Sequence, residues 1–123
     1  MNNILSEARL QSKSEATLQS KSFINLWNNR PDLRGRVFAI NNNSQNAIKG
    51  VMNKAMGTLP GVADMAFIRE NGKIVWIEWK IQSGTQNKPQ KEWESIVTDL
   101  GHDYVIVRSE EEFLAIIEKY EHK

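Results

Sequence analysis

The sequence contains no cysteine, and that one absence removes disulfides, thiolate zinc sites and cysteine nucleophiles together. Imidazole is scarce as well. His102 and His122 are the only histidines, too few for a His-built metal centre and a poor basis for a Ser-His triad. No apolar run approaches the ~20 residues that span a bilayer. The opening Met-Asn-Asn-Ile-Leu-Ser-Glu has neither the charged nor the apolar region of a secretory signal. These absences predict a cytoplasmic protein. What remains has the composition of an ordinary globular domain, 123 residues with 40% hydrophobic and 25% charged side chains, enough for one core over 1–123 and too few for two. The net charge of +1 is unevenly spread. Residues 1–60 carry eight Lys/Arg against three Asp/Glu, and residues 61–123 carry eight against twelve. A basic half is compatible with a phosphate-rich partner, and equally with scattered surface charge.

The chain is organised around residues 61–80. Gly61-Val-Ala-Asp64 leads into Met-Ala-Phe-Ile, a Glu70-Asn-Gly-Lys73 turn follows, and Ile-Val-Trp-Ile-Glu78-Trp-Lys80 returns. Two apolar runs around an Asn-Gly turn predict a β-hairpin. Side chains alternate along a strand, so Trp76, Glu78 and Lys80 share one face, and Val75, Ile77, Trp79 and Ile81 share the other. Asp64 at the start of one strand, beside Glu78 and Lys80 at the end of its neighbour, gathers two carboxylates and an amine. Such a set suits a hard divalent cation with an ammonium beside it. It also suits an amphipathic hairpin whose wet face carries a cross-strand Glu–Lys pair. From these three residues both readings stand.

Before the hairpin, the first dozen residues read as frayed, and the spacing predicts a helix over 14–28, opened by a Ser12/Glu15 capping box. Its inward stripe is Glu15, Leu18, Gln19, Ser22, Phe23 and Leu26, so two polar residues begin an otherwise apolar face. Either that turn overhangs into solvent or Glu15 and Gln19 point into a polar site. Arg30-Pro31 ends the helix, 36–41 reads as a strand, and a short helix through Ala47, Val51, Met52 and Ala55 stops at Gly57. After Lys80 comes a polar loop over 81–87. Pro89 suits the first turn of a helix carrying Trp93, Ile96, Val97 and Leu100 on one face, with Gln90 pointing inward at its start. Residues 104–107 form a buried strand, and Ser109 with Glu112 caps a last helix. The order α, β, (α), β, β, α, β, α implies a mixed sheet flanked by helices. Trp27, Leu33, Met52, Met56 and Leu59 exceed what one small sheet needs, and predict an apolar interaction patch.

Asp64 followed by Glu78-Trp79-Lys80, in this element order, resembles the PD-(D/E)xK nuclease superfamily. Further spaced motifs are similar to its virus-type replication-repair nuclease (VRR-NUC) family: Gly61-x-x-Asp64, Glu78-x-Lys80, Gln90-x-x-Trp93, an N-terminal Glu15-x-x-x-Gln19 and an Asn-rich turn at 41–43. The run at 101–109 resembles the family's Gly-x-x-Tyr-x-Val-x-Arg-Ser. The resemblance covers about 12–118 and departs at Ala63, where the family commonly has proline. It implies an α/β fold, a single restriction-endonuclease-like domain with an αβββαβ core. It also implies a metal-dependent DNA endonuclease using Mg²⁺ or Mn²⁺, structure-specific on branched DNA such as four-way junctions and acting as a homodimer. The implied catalytic residues are Asp64, Glu78, Lys80 and Gln90. The implied metal ligands are Glu15, Asp64, Glu78 and the Trp79 carbonyl. DNA contacts are expected from Gln19, Arg34, Arg36, Asn42, Lys49, Lys54 and Lys88. A flap or nicking nuclease and a catalytically silent DNA-binding module are the alternatives.

Overall fold

A tight turn sets the register of the sheet. Gly72 adopts φ 84°, the left-handed backbone that glycine enters without penalty. Its N–H donates to the Arg69 carbonyl at 3.0 Å, and Lys73 N–H donates to Asn71 Oδ1 at 3.0 Å. The expected hairpin follows in the computed structural model, which describes residues 4–41 and 47–121, with side chains from residue 13 in the first stretch and residue 50 in the second. Strand β2 (Met65–Ile68) pairs antiparallel with β3 (Ile74–Trp79), Met65 opposite Ile77. Strand β1 (Val37–Ala39) pairs antiparallel with β2, and β4 (Asp103–Val107) runs parallel to β3, giving a four-stranded mixed sheet in the order β1-β2-β3-β4.

Helix α1 (Ile4–Asn29) is followed by a 3₁₀ turn (Pro31–Leu33), and α2 (Ala47–Ala55) lies between β1 and β2. Helix α3 (Lys88–Asp99) makes the crossover from β3 to β4, and α4 (Glu110–Glu121) closes the chain. The protein is thus a small α/β domain with a mixed sheet and flanking helices. Among the described residues no helix is long and apolar enough to cross a membrane.

Strand alternation divides the sheet into two unlike faces. Met65, Phe67, Val75, Ile77, Trp79 and Val107 point to the side covered by α1 and α4, where Leu26, Leu33, Phe113 and Ile117 meet them. Trp79 packs on Phe113 with ring centroids 5.1 Å apart. Arg30 at the end of α1 is ion-paired to Glu121 of α4, and Asn25 Nδ2 donates to Glu110 Oε1 at 2.9 Å, so the two helices are fastened together. On the other face Trp93 of α3 stands edge-on to Trp76 at 4.8 Å and 6.2 Å from Tyr104, which is directly opposite Trp76 in the register.

Three expectations need correction. Helix α1 begins at Ile4 and not near residue 14. The stretch before residue 14 is rich in Leu, Ala, Glu, Arg, Gln and Lys without Gly or Pro, and a helix nucleated by its packed end propagates through such residues. The first strand is shorter than 36–41. Leu33 is buried at 2% exposure, because the 3₁₀ turn after Pro31 directs it into the core. The other four residues of the expected apolar patch, Trp27, Met52, Met56 and Leu59, are exposed at 44–80%.

Candidate functional site

The carboxylates of Asp64 and Glu78 meet at the end of the β2–β3 ladder. The register stops at Met65 opposite Ile77, so beyond it the Trp79 N–H has no strand partner on that side. Asp64 Oδ2 takes that place and accepts the Trp79 N–H at 2.8 Å. Along a strand the N–H and C=O of one residue point to the same side, so the Trp79 carbonyl also faces the Asp64 segment. The Lys80 N–H turns the other way and donates to the Val107 carbonyl at 3.0 Å, which anchors Lys80 to β4. Glu78 is 3% and Lys80 9% exposed. Their side chains lie on one face, with Lys80 Nζ 3.8 Å from Glu78 Oε2. The expected trio is assembled.

Two partly buried acids this close hold their protons more firmly than usual. Burial is the first cause at Glu78, whose pKa is pushed up to about 8; the charge of Asp64 adds to it and Lys80 opposes it. Burial also raises Asp64, against the Trp79 N–H that favours its charged form, and Glu15 pushes the same way as burial.

Gln90 is fixed from both ends. Its Nε2 donates to Glu78 Oε2 at 3.0 Å, while its Oε1 accepts the Asn87 N–H at 2.9 Å and its own N–H donates to Asn87 Oδ1 at 3.0 Å. Asn87 and Gln90 thus form a reciprocal capping box at the start of α3. Gln90 therefore caps α3 and holds the Glu78 carboxylate at once. Gly61 explains how α3 comes this near. It adopts φ 88°, and a Cβ there would sit 2.4 Å from the Pro89 carbonyl oxygen. Only glycine lets the 61–64 segment lie against the first turn of α3, which places Gln90 over Glu78.

Glu15 and Gln19 do point inward. Glu15 Oε2 accepts the Ile81 N–H at 3.2 Å, so this carboxylate pins the chain just after Lys80. Its charge reaches both acids, but among the described residues no group of three or more His, Asp or Glu is close enough to form a metal cage. Gln19 lines a cleft of about 490 Å³ between α1 and β1, and Asp64 forms part of its wall. The donor set fits a hard divalent cation through Asp64, Glu78 and the Trp79 carbonyl. Among the described residues Glu78 Oε1 is buried without a well-formed hydrogen bond, an acceptor that a folded protein rarely leaves unused. Small hard cations take their remaining ligands from water and substrate.

The basic candidates are dispersed. Arg34 donates to the Trp27 carbonyl at 2.7 Å and stacks over the Trp27 ring. Arg36 donates to the Ile68 carbonyl at 3.0 Å. Both occupy the hairpin-turn end of the sheet. Ile68 N–H bonds Arg36 O, whereas Ile40 N–H bonds Asp64 O, four residues along β1 and about 13 Å away. Lys54 is exposed on α2, and Lys88, 87% exposed at the start of α3, lies 3.9 Å from Glu92. Asn42 and the Lys49 side chain lie outside the described residues.

Three contributors escaped sequence reasoning. Asn87 was legible, since an Asn three residues before Gln at a Pro-marked helix start is a capping signal. Arg108, whose guanidinium donates to the carbonyls of Gln82 and Gly84 across the 81–87 loop, and Tyr104, whose hydroxyl is buried near Glu78, stand in the 101–109 motif but had no role assigned from it. No family model matches the chain, and neither a curated protein nor a solved structure is significantly similar to it.

Proposed function

We propose that the protein is a metal-dependent endodeoxyribonuclease of the PD-(D/E)xK type that hydrolyses phosphodiesters in branched DNA. The observation that carries this reading is the clustering of Asp64, Glu78 and Lys80 at one strand end, with a buried Glu78 Oε1 that accepts no well-formed hydrogen bond among the described residues. A structural Glu–Lys pair has no reason to bury two carboxylates together, since each raises the cost of ionising the other. A bound Mg²⁺ or Mn²⁺ supplies an activated water and neutralises phosphate charge.

The chain's own groups supply the rest. Asp64 and Glu78 offer the anionic oxygens, Asp64 being oriented by the Trp79 N–H and Glu78 by Gln90 Nε2. Lys80, beside Glu78 on the same face, presents its ammonium where an attacking water and a developing phosphorane charge need a cation. Glu15 holds the Ile81 peptide, and with it the direction of the strand end that carries Lys80.

The exposed Trp27, Met52, Met56 and Leu59 support a homodimer, because apolar groups of this size in solvent mark an interaction surface. Two-fold symmetry would bring two sites to opposite strands of a four-way junction. Cleavage of linear, flap and four-way DNA with Mg²⁺ and with EDTA tests the activity. Metal-dependent cutting is expected, and binding without cutting in either condition means a silent module. Sedimentation at micromolar concentration tests the assembly. A monomer of 14.1 kDa that still resolves four-way junctions refutes the dimer.

A further inference from the structure

We infer that the cleft between α1 and β1 receives a single unstacked nucleobase of the DNA, from the nucleotide beside the scissile phosphate. The inference rests on the nuclease reading and adds to it what the enzyme selects: an unpaired or weakly paired nucleotide at the branch.

Location comes first. The cleft and the carboxylate pair share a residue, since Asp64 lines the cleft and also accepts the Trp79 N–H at the strand end. A strand whose phosphate lies at Asp64 and Glu78 therefore has its neighbouring base at the cleft mouth. Size permits it, because about 490 Å³ lies within the about 300–1,000 Å³ of ordinary small-molecule pockets, room enough for one base.

The lining chemistry then chooses among the parts of a nucleotide. Among the described residues no Lys or Arg lines the cleft and Asp64 is the only charged residue that does, which disfavours a phosphate there. Phe23 of α1, Phe38 at the edge of β1 and Met65 are among the lining residues, with Gln19 and Asn41, which carry carboxamides. Phe38 is 39% exposed on an edge strand, an aromatic ring held toward water where stability alone favours a smaller or polar residue. Aromatic faces stack any base, and carboxamides match the donor and acceptor edges that bases present. Extruding a base costs least where it is mismatched or unpaired, which ties the cleft to branch points.

The test uses the full chain in EDTA with four-way and flap DNA carrying 2-aminopurine, moved one position at a time across the branch. Anisotropy of a distant dye reports binding, and 2-aminopurine fluorescence reports unstacking. Binding should raise fluorescence severalfold at one position. Phe38→Ala and Ala16→Trp should remove that rise, the first by deleting a ring and the second by filling the cleft. Both sites are exposed, so folding should survive, as circular dichroism will check. Binding with no rise at any position, or a rise that persists in both variants, overturns the inference. If Mg²⁺-dependent cutting is present without the rise, the cleft assignment falls and the nuclease reading stands. A protein that neither binds nor cuts overturns both.

Discussion

The two faces of the sheet use their interiors in opposite ways. Against α1 and α4 the side chains are large, apolar and nearly without exposure: Phe67, Val75, Ile77, Trp79 and Phe113 are at most 1% exposed. Against α3 the sheet presents Trp76, Glu78, Lys80 and Tyr104; among the described residues Trp76 Nε1 and Glu78 Oε1 are buried there without a well-formed hydrogen bond, as Ser22 Oγ of α1 is on the apolar side. One strand, β3, feeds both faces by simple alternation. Dispersion and apolar burial hold the fold on one side, so the other is free to keep polar groups under strain.

The sharpest way to break this comparison is to remove the charges. Asp64→Asn and Glu78→Gln should each reduce Mg²⁺-dependent cleavage by about 10²–10³-fold or more, while DNA binding, followed by anisotropy, survives or tightens because a negative group near phosphate is gone. Full activity in either variant would end the metal-site assignment. Neither change should unfold the protein, because each replaces a costly buried acid by a neutral isostere. On the opposite face the same kind of experiment should act on stability. Phe113→Ala leaves a cavity beside Trp79 and should cost about 3–5 kcal/mol, measured by urea unfolding. A loss under about 1 kcal/mol would mean that α4 is not what closes the core.

Acidity sharpens the contrast further. Burial, and after it the charge of Asp64, pushes the Glu78 carboxyl up to about 8 in the folded chain, from an ordinary 4.5. Between those values the unfolded chain has released the proton and the folded chain still holds it. Stability contributed by Glu78 is therefore present below pH 4.5 and is lost as pH rises through 8. In metal-free buffer the wild type should lose melting temperature from pH 6 to 9, and Glu78→Gln should flatten that decline. Identical slopes would show that Glu78 is not held protonated. Gly61→Ala comes next in size. A non-glycine residue in this left-handed backbone carries strain of about 1–3 kcal/mol, and its Cβ must push Pro89 away. Its cleavage rate should fall further than its stability accounts for, since Gln90 moves with Pro89. Activity retained at full folding would separate α3 from the site.

Much of this arrangement was legible in advance because local chemistry determined it. The Asn71-Gly72 turn, the alternation along β3 and the stripe on α1 each depend on a few neighbouring residues, and each appears where the pattern placed it. Asp64, Glu78 and Lys80 were legible for the same reason. The rest depends on distant pairs. Nothing near Arg34 or Arg36 says that their guanidiniums close on carbonyls seven and thirty-two residues away in sequence, at the sheet end remote from Asp64. Leu33 looked like surplus apolar surface until the turn after Pro31 swung it under α1. The role of Gly61 is invisible without Pro89, a residue that only the tertiary fold brings to it.

The smallest effect tests whether the polar face is tolerated or used. Among the described residues the Tyr104 hydroxyl is buried with only the Gln86 side chain near enough to bond it, and burial holds its proton well above the usual phenol range. A buried hydroxyl with no well-formed hydrogen bond is a net cost, so on stability alone Tyr104→Phe should gain up to about 1 kcal/mol, seen as a higher urea midpoint at unchanged slope. The Trp93 ring contact at 6.2 Å does not involve the hydroxyl and should persist. Activity then decides what the hydroxyl is for. If it only fills space, Tyr104→Phe cuts DNA at the wild-type rate and the gain in stability comes free. If it orders solvent around Glu78 within the site, the variant becomes more stable and slower together, by several-fold in kcat. A variant that is both less stable and fully active would overturn the comparison itself, because the hydroxyl would then be a satisfied part of the core and the α3 face no more strained than the other.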